Sequence, residues 1–220
     1  MDSRACISFD GADDRLVSPS FDFRGSAASY TVAMWIKPTD VSGLERLVFQ
    51  DDIMSLYCSD DDIVWLPNFG TAFTASTVLT AGQWHHIIAT FNASDNAVAV
   101  YVDGISEVTG TDTTTDTTGE GAAVIYFGYE DDATDDYTGS MRDIRMYDYA
   151  LSADQAASLF RGSYNVTPEY GWKLDEGTGN ASGWGTDASP PDLAVSGASW
   201  VTSNFTVNGA ARIHTNGGLT

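Results

Sequence analysis

Residues 139–162 hold the two periodicities that most restrict how this chain folds. From Met141 to Tyr147 the side chains alternate. Met141, Asp143, Arg145 and Tyr147 fall on one side, and Arg142, Ile144 and Met146 on the other. A period of two is a strand. Five residues later the grammar changes. Ser152 with Gln155 three positions on spells a capping box, and Asp154 sits in the first turn. Leu151 before the cap can staple onto that turn, and Gly162 after Arg161 stops the helix. The chain therefore makes one two-turn helix directly after a strand.

Other stretches repeat the strand pattern. Ala5–Phe9 and Arg15–Val17 flank the turn Asp10–Asp14. Tyr30–Lys37 is apolar on both faces and ends at Pro38, as a central sandwich strand does. Arg46–Phe49, Ile53–Cys58 and Ile63–Leu66 are separated by acidic turns and suit a meander. Trp84–Phe91 and Ala97–Val102 form the next pair, followed by Ala123–Gly128. Residues 109–119 read as an exposed polar loop, and residues 130–136 as the densest acidic loop. The fold class is all-β: two antiparallel sheets and one short helix near 152–161.

Charge narrows the partners. The 220 residues include 31 acidic and 10 basic ones, a net charge of −21. The basic residues form no cluster along the chain, so neither nucleic acid nor an anionic membrane is expected. Of the acids, 25 are Asp and 6 are Glu. That excess fits solvated turns, Ca²⁺ ligation or solubility in a saline medium. Cys6 and Cys58 make neither a disulfide framework nor a zinc spacing; one bridge and two buried thiols both remain open. No apolar stretch reaches 18 residues, and Met1–Cys6 lacks the features of a signal peptide.

Single residues invite chemistry. His85 and His86 are adjacent on a strand and face opposite sides, so they cannot share one metal ion; one core and one surface histidine is the expectation. Trp35, Trp65 and Trp84 suit either core packing or a sugar platform, and Trp65 is kept as a ligand-binding candidate. No Gly-x-Ser-x-Gly, His-Glu-x-x-His or phosphate-binding glycine loop occurs.

Four segments together carry a resemblance: Ile7–Asp14, Tyr30–Pro38, Gln83–Phe91 leading to Tyr101-Val-Asp-Gly104, and Tyr137–Tyr147 with its Leu151-Ser-Ala-Asp-Gln155 helix start. In this order they resemble the laminin G-like group of concanavalin A-like jelly rolls. The resemblance implies a jelly-roll sandwich. It also implies a structural Ca²⁺ where the N-terminal strand meets the last long strand. The matching positions are Asp10, the Gly11 carbonyl, Asp14 and Asp143, with Asp13 nearby. The competing reading of Asp143 is a salt bridge to Arg15 or Arg142. Asp131, Asp132, Asp135 and Asp136 are candidates for a second cation or a ligand contact. Glucanases of this fold use a Glu-x-Asp-x-Glu run, which is absent here; Glu130-Asp131-Asp132 lacks the last Glu. No catalytic residue and no enzyme activity are expected.

Gly171–Gly179 through Val201 looks like the opening of such a unit, yet it follows the end of one. About thirty residues cannot form a core alone, so packing back on the same sandwich is expected. The domain then spans residues 1–201, and 202–220 form an extension or stem. The expected function is a carbohydrate- or surface-binding adhesion module. Such a module suits a phage capsid or tail appendage, because the chain starts at Met1 without an export signal. The alternative is a purely structural virion or oligomer component. Expected partners are a surface glycan, virion or other surface proteins, or further copies through the tail. The expected location is extracellular or on a virion.

Overall fold

A computed structural model describes residues 3–23, 29–51, 53–68, 70–76, 78–114, 123–130 and 135–204. In chain order these residues form β1 (Ser3–Asp10), β2 (Arg15–Val17), β3 (Tyr30–Pro38), β4 (Leu44–Gln50), β5 (Met54–Ser59), β6 (Asp62–Pro67), β7 (Phe73–Ala75) and β8 (His85–Asn92). Then come β9 (Ala97–Val102), β10 (Ile105–Thr111), β11 (Tyr126–Phe127), β12 (Thr138–Tyr147), α1 (Ala153–Phe160), β13 (Tyr170–Trp172), β14 (Gly183–Trp184), β15 (Ala194–Ser196) and β16 (Ser199–Asn204). The larger sheet runs β10-β9-β8-β3-β12-β1-β16, with β13 and β14 attached beside β12. The smaller runs β15-β2-β11-β4-β5-β6-β7.

The two sheets close over one apolar core. Tyr30, Met34, Trp65, Phe127 and Trp172 are essentially fully buried in it. Both of these core indoles find an acceptor: Trp65 Nε1 donates to Thr90 O at 3.3 Å and Trp172 Nε1 to Pro191 O at 2.8 Å. That satisfaction matters, because an unpaired buried N–H costs about 1–3 kcal/mol. Trp65 is therefore a core residue and cannot serve as a sugar platform, which corrects the expectation for it.

The helix forms where its caps dictate. Ser152 accepts from the Gln155 N–H while the Gln155 side chain accepts from the Ser152 N–H. Gly162 leaves the helix at φ +70°, a conformation that only glycine adopts freely. Leu151, Ala156 and Leu159 bury the helix on the outer face of the larger sheet, against Ala33, Ile88, Tyr101 and Tyr147. This covering changes the histidine expectation. His85 and His86 do face opposite sides, but both are buried, because the end of α1 places Phe160 over His86.

β12 departs from strict alternation. Its register with β3 shifts between Arg142, opposite Trp35, and Arg145, opposite Ala33. Three steps on β12 face two on β3, so β12 carries one extra residue, a β-bulge. Asp143 sits in it at φ +49°, and its N–H donates to Lys173 O at 3.0 Å. The bulge resets the phase: Met141, Ile144 and Met146 all enter the core. Asp143 does not share the face of Met141, as the plain period-two reading required.

Residues 170–204 supply strands to both sheets. β13 pairs with β12, β16 with β1, and β15 with β2. Cys6 and Cys58 are separate buried thiols, Cys6 on the outer face of the larger sheet and Cys58 in the core. The expected alternation beyond Asn204 lies outside the described residues.

Candidate functional site

Two regions gather charged side chains. The first is the turn after β1. Oxygen atoms of Asp10, Asp13 and Asp14 lie within 4.8 Å of one another. The backbone builds this cluster. The Asp10 N–H donates to Asp14 Oδ2 at 2.8 Å and the Ala12 N–H to Asp10 Oδ1 at 3.0 Å. Gly11 takes φ +80°, and a Cβ there would stand 2.1 Å from Thr138 Oγ1. Gly197, in the β15–β16 turn, comes as close to Asp14: its Cβ would meet Oδ1 at 2.4 Å. Asp14 is thus buried against the Gly197 turn. Burial raises its pKa; the Asp10 N–H bond opposes this, and the charges of Asp10 and Asp13 reinforce it. Three carboxylates within reach of one ion, two of them held by backbone N–H groups, fit a hard divalent cation.

Asp143 is not part of this cluster. Asp10 stands opposite Thr138, and Asp143 lies five residues farther along β12, about 16 Å at strand rise. There it accepts two hydrogen bonds from Arg145, Nε to Oδ1 and an Nη to Oδ2, both at 2.9 Å. Its ion partner is neither Arg15 nor Arg142. In the acidic loop, Asp131 and Asp132 lie outside the described residues. Asp135 and Glu130 form ion pairs with Arg46, and Asp136 is buried.

The second region was not foreseen. It lies on the outer face of the larger sheet, beyond the end of α1. His86 packs at a tilt against Trp35 with ring centroids 4.7 Å apart, and Phe160 lies 5.7 Å from Trp35. Burial pulls the His86 pKa down to about 4, more than Asp143 and Asp103 can offset, so the imidazole is neutral. His85, on the other side, accepts the Thr80 N–H at Nε2 and bonds Asp103 through Nδ1 at 2.9 Å. Beside the bulge, β14 sets the Trp184 indole over Gly171, where a Cβ would approach the ring to 2.8 Å. The Arg145 guanidinium lies 5.6 Å and the Lys173 ammonium 5.7 Å from the Trp184 ring centroid. Trp184 is only half-buried. It is thus an indole backed by glycine, with two cationic side chains over its ring. The visible sequence signal is Gly171-Trp-Lys with Gly183-Trp184, within the stretch that looks like the opening of a further unit, where Trp184 does not stand out on its own.

Residues 10–157 match the family described as the concanavalin A-like lectin/glucanases superfamily, in its laminin G-like branch. The chain belongs to this family. Among curated relatives, the sushi, von Willebrand factor type A, EGF and pentraxin domain-containing protein 1 of Rattus norvegicus is 27% identical over 141 residues. That alignment covers 59% of this chain but 4% of the relative. Solved structures share the fold at low identity. A Bacteroides ovatus protein described as carbohydrate-binding superposes with a TM-score of 0.68 at 13% identity, over 94% of this chain and 63% of its own. A heptameric SAP-like pentraxin from Limulus polyphemus gives 0.57 at 19%, over 88% and 96%. The CBM40 of a Ruminococcus gnavus sialidase, bound to α2,3-sialyllactose, gives 0.56 at 11%, over 72% and 98%. The laminin G-like jelly roll expected from four short motifs is the fold of this protein.

Proposed function

We propose that this chain is a non-catalytic glycan-recognition module, working on the surface of a cell, a matrix or a virion, and stiffened by a structural Ca²⁺. The observation that carries the reading is the Trp184 platform. Sugars present one apolar C–H face and a rim of hydroxyls. A half-buried indole backed by glycine offers an aromatic surface, and Arg145 and Lys173, which lie over the ring, bring hydrogen-bond donors to it. Family membership and the carbohydrate-binding neighbours support it at the level of fold. The Asp-rich surface suits a saline extracellular medium. In this reading Asp10, the Gly11 carbonyl, Asp13 and Asp14 hold the cation. It would neutralise the carboxylates and lock the β1–β2 turn against β12 and the β15–β16 turn.

A glycan array followed by calorimetry tests the module. Binding of at least one saccharide class, weakened tenfold or more by Trp184→Ala with unchanged melting, is the expected result. A second reading, a structural oligomer component, is favoured by β16. This strand forms one end of the larger sheet, with Val201 36% exposed among mostly exposed residues. Such an edge can pair with another copy. A symmetric oligomer in native mass spectrometry with no saccharide binding would select that reading.

A further inference from the structure

A sheet edge offers its outward N–H and C=O groups to any strand that approaches, so natural sheets guard their edges. Among the described residues five strands lie at an edge. β7, β14 and β15 are guarded by being short, at three, two and three residues. β10 is seven residues long and carries two devices. Its register against β9 shifts between Ser106 and Val108, which places Glu107 in a bulge. Its Gly110 also lies against β7, where a Cβ would stand 2.3 Å from the Phe73 ring. β16 has none of these devices. Among the described residues it pairs with β1 alone, from Ser199 opposite Ser8 to Asn204 opposite Ser3, without a register shift. Its six residues, Ser-Trp-Val-Thr-Ser-Asn, include no charge and no proline.

The neutrality extends beyond the strand. All 31 acidic residues lie at or before Asp192, and the 28 residues from Leu193 to Thr220 contain none. A net charge of −21 makes two copies repel over most of their surface. A strand that pairs with its own copy about a two-fold axis meets its own sequence reversed, so any acid in it is brought toward an identical acid. Like charges facing each other across paired strands are destabilising. A partner of different sequence imposes no such condition. An uncharged edge inside an acid-free stretch is what self-pairing demands. The side chains agree. Cys6 stands opposite Val201 and clusters with Trp35 and Trp84 on the outer face of the larger sheet. Ser199, Val201 and Ser203 therefore lie on that face. All three are small, and Val201 is 36% exposed. Trp200 turns the other way, packs on the core and donates its Nε1 hydrogen to Gly179 O at 2.9 Å. It holds the strand in place without using the strand's edge.

We propose that β16 pairs antiparallel with β16 of a second copy of this chain, joining the two larger sheets into one across a two-fold axis. The pairing fixes strand, symmetry and face for the oligomer alternative, and it rests on that alternative rather than on glycan recognition. Antiparallel neighbours related by a two-fold axis share the faces of their sheet, because the axis runs normal to it. The outer faces of both copies therefore look the same way, with Trp184 on each. Oligomerisation and glycan recognition are then compatible, since a dimer presents two indoles to one surface and gains retention on clustered sugars without a new contact.

Sedimentation velocity of the full chain over about a hundredfold range of concentration, paired with amide hydrogen exchange, tests the seam. A species of twice the chain mass, growing with concentration, is expected. Protection of the Val201, Thr202 and Ser203 amides should grow in step with it. Salt screens the repulsion between copies, so raising NaCl from about 50 to about 500 mM should tighten dimerisation at least about threefold. Val201→Glu and Ser199→Glu should each weaken it about tenfold or more, at unchanged melting. Ile105→Glu adds the same charge on β10, where Ile105 is 62% exposed, and should leave dimerisation unchanged. A monomer at every concentration overturns the proposal and the oligomer alternative together. Protected β16 amides in that monomer would assign the edge to residues 205–220 of the same chain. A dimer that ignores both Val201→Glu and Ser199→Glu keeps the oligomer alternative but overturns the β16 seam. So does a dimer loosened by salt, which is held by ion pairs that β16 does not have, or one that Ile105→Glu dissociates as readily.

Discussion

The two charge clusters are built in opposite ways. Asp10, Asp13 and Asp14 are close because they are neighbours in sequence, and the turn's own N–H groups hold two of their oxygens. On the outer face of the larger sheet Arg4, Lys37 and Arg142 are close because β1, β3 and β12 lie side by side, although 33 and 105 positions separate them in sequence. Local sequence places the acids; strand order places the bases. In both regions burial presses against charge. Near the acidic end Glu45, beside the Thr138 that faces Asp10, is pushed up to about 7. Burial does this first; hydrogen bonds from Thr138 oppose it and Asp40 adds to it. On the basic face, burial pulls His86 down to about 4. One cause, removal from water, disfavours charge of either sign.

The contrast can be broken most forcefully at β13, which belongs to the basic side. Trp172→Ala empties a fully buried site and should cost about 3–5 kcal/mol in urea unfolding. Saccharide binding should fail with it, because Lys173 follows Trp172 and Trp184 pairs with Gly171. A loss below about 1 kcal/mol would mean that residues 170–204 dock without supporting the sandwich.

Next come the two titrating groups, which predict opposite slopes. As pH rises from about 4.5 to about 7, unfolded Glu45 releases its proton while folded Glu45 keeps it. Stability therefore falls through that window. Between about 4 and 6.5 the unfolded His86 is protonated and the folded one is not. Stability therefore rises with pH there. Each shift corresponds to at most about 3 kcal/mol. In the wild type the two largely cancel, and substitution unmasks each. Unfolding free energies at half-unit pH steps should rise with pH in Glu45→Gln and fall with pH in His86→Phe. Matching profiles for both variants and wild type would refute the assignment.

The smallest effect sharpens the acidic side. Ca²⁺ at ten to a hundred times its Kd should stabilise the protein by about 1–3 kcal/mol, read as a rise in melting temperature. Asp14→Asn should abolish the rise. Asp143→Asn should keep it, since that carboxylate serves Arg145. No response to Ca²⁺ in the wild type would leave the turn a solvated acidic loop.

Much of the fold was legible because its signals are local. The Ser152–Gln155 capping box, the Gly162 stop and the apolar Tyr30–Lys37 run each act within a few residues. The bulge left a trace that alternation alone passed over. Apolar residues at 141, 144 and 146 do not fit a period of two, and an aspartate tolerates positive φ better than most residues. The basic face left none, because its residues become neighbours only when the order β3-β12-β1 is known. Trp65 and His86 were misjudged for a related reason. Periodicity tells which residues share a face, but not whether another sheet or a helix covers it.

The position of β1 bears on how the chain is made. Its two partners are β12 and β16, and β2 likewise pairs with β11 and β15. A ribosome adding about 5–20 residues per second reaches β12 on the order of ten seconds after β1. Throughout that interval Cys6, Ile7, Phe9 and Leu16, all buried in the finished protein, have no strand to pair with. These early strands of the domain are thus among the last to be sheltered. Pairings this distant also make for slow folding. Until β12 and β16 emerge, β1 is the stretch of this domain most open to aggregation.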